Sequence, residues 1–292
     1  MKSPLEVVNL VALMARTSGS ADVTIGLIDG PVKLEHPDLA SANIRRVRDR
    51  GDACANLDSA ACLHGTFIAG LLAARRASPT PGVCPDCTLL VRSLFTEHTD
   101  AQKMPSAAPV QLADAIVECV DGGARILNLS IGLARPSTRG DRALEQALDY
   151  AVRRGVVVIA AAGNQGMLGS SSITRHPWVI PVIGCDLQRR PMKESNLGTS
   201  IGLRGLSAPG EGVVGLDSNA AAPVFRGTSV AVPFVTGTIA LLWSEVPDAT
   251  PARLKRAIAE ASPRRSSVVP PLLDADAAYR ALVADSHRTR IA

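Results

Sequence analysis

The sequence predicts an α/β protein in three layers, a doubly wound and mostly parallel sheet with helices on both faces. Three observations predict it. Apolar runs of four to nine residues recur without polar alternation, as strands buried on both faces do. Segments with helical spacing lie between them. Glycines stand where those helices should end, at Gly122, Gly123 and Gly155. Strand, helix, strand repeated in this way describes a sheet wound outward in both directions.

The elements follow in order. Met1–Ala15 holds an apolar stretch interrupted by Glu6 and Asn9, a poor signal peptide and a fair amphipathic helix. Its Leu5, Val8, Leu10, Val11 and Met14 fall near one face. Val23–Ile28 is the first strand, and His64–Arg76 has helical spacing. Leu89–Phe95 is a strand, Gln111–Gly122 a helix, Ile126–Ile131 a strand, Arg142–Gly155 a helix and Val156–Ala162 a strand. Trp178–Ile183 is the last apolar run. Ser229–Glu245 reads as a helix with Pro233 in its first turns, followed by a helix over Thr250–Ala261. The Pro, Ser and Arg-rich stretch Ser262–Pro271 reads as a loop, and 272–284 as a short terminal helix. The expected organisation is an N-terminal extension over 1–20, one domain over 21–285 and a frayed basic tail over 286–292.

Composition narrows the function. With 46% hydrophobic and 20% charged residues in 292, and a mean hydropathy of +0.16, the chain has the apolar mass for a large core. Twenty-seven acids against 31 bases leave +4, too little to suggest a nucleic-acid partner. Aromatic residues are 3%, which argues against base-stacking platforms. No apolar run reaches the roughly 18–20 residues of a membrane helix, so no membrane partner is expected. Six cysteines are far too few for a disulfide scaffold, and their number leaves the redox compartment open.

Four residues stand where chemistry collects. Asp29 ends the first buried strand, and in an open α/β sheet ligands gather at the carboxyl ends of strands. Asp29-Gly30 is also a common turn pair. His64 opens His-Gly-Thr-Phe-Ile-Ala-Gly, where small neighbours keep an imidazole accessible; it also suits a solvated helix start. Asn164 closes the run from Val156 and carries an amide that could donate to an oxyanion, or is an ordinary loop Asn. Ser229 follows Gly227-Thr228 at a helix N-terminus, near free N–H groups and a positive dipole end; a plain Ser N-cap would look the same. Together they are more specific than any one alone. Asp, His, Asn and Ser follow in chain order, 35, 100 and 65 residues apart, and Asp…His…Ser is one of the recurring triad orders.

Over roughly 20–262 the chain resembles the subtilisin-like serine proteases, the subtilase family. Ile28-Asp29-Gly30 with His36-Pro37-Asp38-Leu39 resembles the Asp region, and His64-Gly65-Thr66 with Ala69-Gly70 the His region. Ala162-Gly163-Asn164 resembles the oxyanion segment, and Gly227-Thr228-Ser229 with Ala231 and Pro233 the Ser region. Asn128-Leu129-Ser130-Ile131-Gly132 is similar to the family strand that pairs with substrate, and Ser207-Ala208-Pro209-Gly210 also matches. The resemblance implies a subtilisin-like fold and a serine endopeptidase. Ser229 would attack the scissile carbonyl, with His64 as general base and then acid. Asp29 would hold the imidazole, and Asn164 with the Ser229 N–H would bind the oxyanion. Ser130, Ile131 and Gly132 would bind substrate as an added strand.

Departures from the family pattern carry further expectations. Gly30-Pro31 follows Asp29 where the family usually has Ser or Thr and then Gly. One hydroxyl is therefore missing around the carboxylate, and reduced activity is expected. His36 belongs to a stretch that is structural in the family. Cys84-x-x-Cys87 could be a redox or zinc pair, with Cys54 and Cys62 as formal extra ligands, but a structural role as buried thiols or a local disulfide fits better. Cys119 and Cys185 read as inert core thiols. Calcium is frequent in the family, yet no Asp-rich loop stands out, so no metal or cofactor is assigned.

The 28 residues before Asp29 leave no room for an autoinhibitory pro-domain; either the sequence begins after processing or the enzyme is made without one, and Met1 with no signal peptide favours the second. Subtilases of that kind resemble the cyanobactin-type maturation proteases, which trim leader or follower segments from precursor peptides. The 28–32 run and the Cys-containing loop before Leu89 strengthen that likeness. A peptide or precursor peptide is the expected partner, and the cytoplasm the expected location, with a secreted mature form as the alternative. A macrocyclase on the same fold would need a lid, for which Thr96–Val110 is the sizeable candidate. A catalytically weak peptide-binding pseudoprotease is the third reading. Dinucleotide binding fails because Gly26–Gly30 lacks G-x-G-x-x-G.

Overall fold

Five unbroken apolar runs become the central strands of a seven-stranded parallel sheet. The computed structural model describes residues 2–48, 51–95, 97, 107–131, 141–217, 223–261 and 267–291. The helices are α1 (Pro4–Val7), α2 (Leu10–Arg16), α3 (Ala60–Ala73), α4 (Pro109–Asp121), α5 (Arg142–Arg153), α6 (Ser172–Arg175), α7 (Thr199–Arg204), α8 (Thr228–Glu245), α9 (Pro251–Glu260) and α10 (Ala275–Ile291). The strands are β1 (Thr24–Asp29), β2 (Asn43–Arg46), β3 (Thr88–Ser93), β4 (Ile126–Leu129), β5 (Val157–Ala161), β6 (Ile180–Cys185) and β7 (Leu206–Pro209), with β8 (Val213–Val214) and β9 (Val224–Phe225) as a separate antiparallel ribbon.

The sheet order is β2-β3-β1-β4-β5-β6-β7, parallel throughout. Successive residues of one strand feed opposite cores. Val157, Ile159 and Ala161 point into the core shared with α2, α3, α8, α9 and α10, whereas Val158 and Ala160 face α4 and α5. That double burial is why these strands read as continuous apolar runs. The chain winds one way from β1 to β3 and β2 and the other way from β4 to β7. The switch lies between β1 and β4, and the carboxyl ends there form the crevice where such sheets bind ligands.

Some expectations change. The N-terminal segment is two short helices, because Asn9 takes a left-handed conformation at φ 53°. The break rotates the second helix, so Leu13 is buried and Val11 is half exposed. Val7, Val8, Leu10 and Leu13 join the main core. At the other end, α10 runs to Ile291 instead of ending before residue 285, since no Gly or Pro interrupts Ala275–Ile291. No described helix is long and apolar enough to cross a membrane.

Candidate active site

Asp29 is the last residue of β1, next to the sheet's switch point, and is wholly buried. His64 lies on α3, whose N-cap is Ser59, and is 5% exposed. Asp29 Oδ1 and His64 Nδ1 are 2.7 Å apart, and His64 Nε2 and Ser229 Oγ are 3.0 Å apart. With the Nδ1 proton directed at the carboxylate, Nε2 is left to accept from the serine hydroxyl.

Main chain sets the Asp–His spacing. A Cβ at Gly30 would lie 1.9 Å from the Ala61 carbonyl oxygen, and one at Gly65 would lie 2.4 Å from that of Pro31. The turn after β1 therefore rests directly on the backbone of α3. The Gly30 N–H donates to Asp29 Oδ1 at 2.6 Å, while Oδ2 is buried without a hydrogen-bond partner among the described residues. This accords with the hydroxyl missing after Asp29. A serine at position 30 could not restore it, because its Cβ has no space.

Ser229 is the second residue of α8, after Gly227 at φ 144°. Pro233 lies one turn further on and has no N–H to offer the Ser229 carbonyl. Ser130 Oγ donates to that carbonyl at 3.1 Å, and Asn128 Nδ2 donates to Ser130 Oγ at 2.8 Å. Asn128 Oδ1 in turn accepts from Thr236 Oγ1 at 2.8 Å. The Ser130 side chain is thus turned inward, buried, and bonded to the serine's own peptide, not presented to a ligand. Ile131 is also buried, and Gly132 lies outside the described residues.

Asn164 follows Gly163 just past β5 and is exposed. Its Oδ1 accepts from the Thr228 N–H at 2.8 Å and from Thr228 Oγ1 at 2.9 Å. This fixes the amide so that Nδ2, its donor end, faces Gly227, where a Cβ would lie 2.9 Å away. Buried Asn196 holds the loop behind it, accepting from the Gln165 and Met167 N–H groups at 3.2 and 3.0 Å. The Phe225 ring stands edge-on to His64, with centroids 5.6 Å apart, and packs on Phe67 at 4.9 Å. Arg226 pairs with Glu194 and Glu211.

Asn196, Thr236 and Phe225 carry no motif that marks them in the sequence. Thr228 lies in the Gly227-Thr228-Ser229 motif, but its bond to Asn164 spans 64 residues and leaves no local signal. His36 caps the short 3-10 turn Pro37–Leu39, where its Nδ1 accepts from the Asp38 N–H at 3.1 Å, and burial pushes its pKa down.

The cysteines divide in two. Cys54 and Cys62 form a disulfide, and Cys84, Cys87, Cys119 and Cys185 are buried free thiols. The Cys84 thiol is pushed up by its hydrogen bond to Cys87 and by burial, and burial also raises Cys119 and Cys185. Among the described residues one group of three could ligate a metal, Cys54, Cys62 and Glu97. Most of the Thr96–Val110 stretch lies outside the described residues.

Known proteins resemble this chain in sequence and fold. A model of the subtilase family matches residues 20–281. A thermophilic serine proteinase of Bacillus sp. (strain AK1) is 34% identical over 78% of this chain. Subtilisin amylosacchariticus of Bacillus subtilis subsp. amylosacchariticus is 28% identical over 84% of it. The chain spans 54% and 61% of the length of these two curated relatives. Among solved structures, a mutant of the protease domain of PatA superposes with a TM-score of 0.84 at 26% identity, covering 91% of this chain and 97% of that one. The prenylagaramide maturation protease PagA gives 0.82 at 26%, covering 94% and 98%.

Proposed function

The chain belongs to the subtilase family, and from that premise we propose that it is a serine endopeptidase working on a peptide precursor. The observation that carries this reading is the hydrogen-bonded relay from Asp29 Oδ1 through His64 to Ser229 Oγ, at 2.7 and 3.0 Å. Ser229 Oγ attacks the scissile carbonyl as His64 Nε2 takes its proton. Asp29 holds the imidazole in the required tautomer and stabilises the imidazolium. Asn164 Nδ2 and the Ser229 N–H receive the oxyanion. His64 then protonates the leaving amine, and water hydrolyses the acyl-enzyme by the same proton path in reverse.

A precursor substrate, trimmed at a leader or follower segment, is supported by the likeness to the maturation protease PagA. The cytoplasm is the proposed location, with a secreted mature form as the alternative. A Cys54–Cys62 bond persists only in an oxidising compartment, so the thiol state of protein taken from its own compartment distinguishes the two.

A fluorophosphonate probe tests the chemistry. It should label Ser229 in the native chain and fail on Ser229→Ala and His64→Ala. Folded native protein that stays unlabelled would overturn the proposal. Mass spectrometry of products from a randomised peptide library then gives the cleavage preference and tells linear from cyclic products.

A further inference from the structure

Two cysteines and a carboxylate meet beside the N-terminal turn of α3, outside the machinery described above. Cys54 and Cys62 have Cα atoms 5.6 Å apart, and their sulfurs and a Glu97 carboxylate oxygen all lie within 4.8 Å of one another. The carboxylate is already oriented. It accepts from the Ala55 N–H at 2.7 Å, the Asn56 N–H at 3.1 Å and Ser59 Oγ at 3.1 Å. Thr66 Oγ1 stands 3.8 Å from the Cys54 sulfur and 3.9 Å from that of Cys62. Cys54 and Glu97 are partly exposed, so solvent reaches the cluster. The Cys54 N–H donates to the Val32 carbonyl at 3.1 Å, and Ser59 caps α3, so both flanks of the cluster are tied to structured backbone.

We propose that the reduced form of this pair is a binding site for a zinc-like divalent cation, held by Cys54 Sγ, Cys62 Sγ and the Glu97 carboxylate, with water as the fourth ligand. A dithiol reductant opens the bond. It supplies two electrons and two protons, closes its own disulfide, and leaves Cys54 and Cys62 as thiols. The metal then displaces both thiol protons to solvent, and two metal–sulfur bonds form where one sulfur–sulfur bond was broken. Two thiolates and one carboxylate suit a borderline-soft ion such as zinc, not calcium or magnesium. In a tetrahedron with metal–sulfur bonds of about 2.3 Å the sulfurs stand about 3.8 Å apart. Side-chain rotation supplies that separation, with Glu97 already in range. The metal keeps the segment ahead of His64 fastened to α3 in a reducing compartment, as the disulfide does in an oxidising one.

The test uses the full chain, reduced with a water-soluble phosphine, freed of reductant under argon, and titrated with Co²⁺. One equivalent should give sulfur-to-cobalt charge-transfer and tetrahedral ligand-field bands that Zn²⁺ bleaches, and the unreduced chain should give none. Zinc should also raise the melting temperature of the reduced protein above that with a chelator. Cys54→Ser with Cys62→Ser should abolish the bands. Glu97→Gln, which leaves both cysteines and their disulfide in place, should weaken cobalt binding about tenfold or more. Cys84→Ala with Cys87→Ala should leave the cobalt bands unchanged. A reduced chain without tetrahedral bands at one equivalent would overturn the proposal. So would bands that survive the Cys54/Cys62 variant and vanish with Cys84/Cys87.

Discussion

Deleting the amide of Asn164 puts a number on the proposed oxyanion site. Thr228 occupies Asn164 Oδ1 with two hydrogen bonds, at 2.8 and 2.9 Å, so Nδ2 is the end left to meet developing charge. Asn164→Ala removes that donor. One such donor contributes about 2.7–4 kcal/mol to the transition state, which corresponds to a fall of about 10²–10³ in kcat. The ground-state carbonyl needs it far less, so KM should stay within about threefold. Fully buried Thr228 loses its acceptor in this variant, and each unpaired buried donor costs about 1–3 kcal/mol of stability. The melting temperature must therefore be recorded, and kcat referred to titrated active sites. Thr228→Val is the companion perturbation. It keeps the backbone bond to Oδ1 but loses the hydroxyl's bond to Oδ1, worth about 1 kcal/mol, and its acceptance from the Gly163 N–H at 3.2 Å, and should slow acylation by up to about tenfold. Because Thr228 acts through Asn164, the double variant should be no slower than Asn164→Ala alone. Acylation by a chromogenic peptide anilide, followed before steady state, provides the rates. A loss under about tenfold for Asn164→Ala, a loss expressed mainly in KM, or additive effects in the double variant would refute the reasoning.

Three other predictions follow from the same contacts. Asp29→Asn should lower kcat by about 10⁴ at neutral pH, because an amide facing Nδ1 favours the wrong imidazole tautomer; kinetics and melting temperature together check it. Gly30→Ala places a methyl 1.9 Å from the Ala61 carbonyl oxygen, where only backbone could yield. Denaturant unfolding should show a loss of about 3 kcal/mol, at the top of the overpacking range. Lys255, packed over Trp178 with its Nζ 3.8 Å from the ring centroid, is lowered to about 8 by burial and then by Arg204. An unfolded lysine titrates near about 10.4, so between these values the unfolded chain binds more protons and stability rises with pH. Unfolding midpoints for Lys255→Met should lack that rise.

How much was legible in the sequence depended on whether a signal was local. The five central strands were readable because burial on both faces removes polar residues from them. Edge strand β2, Asn43–Arg46, is mostly exposed and carries one apolar residue, so no pattern marks it. Strand β7 is four residues ending in Pro209, too short to show a strand pattern. The left-handed Asn9 broke a helix whose apolar spacing alone looked continuous. Asp29, His64, Asn164 and Ser229 stood out because each sits in a short glycine-bearing segment at a strand end or helix start. Asn196 and the Asn128–Thr236 pair were not legible as supports. Their role lies in hydrogen bonds between elements far apart in the chain, 108 residues in the second case, which local spacing does not encode.

The proline one turn beyond Ser229 has a mechanical consequence. Helix α8 grips most of its own carbonyls, but it cannot grip that of its second residue, and the sheet does so through Ser130. The peptide of the proposed nucleophile is therefore tied to the floor of the cleft as well as to the helix that carries it. Asn128 and Ser130 brace the serine at the end of the strand whose continuation is expected to receive the peptide, so in the proposed reaction attacker and target would rest on one foundation.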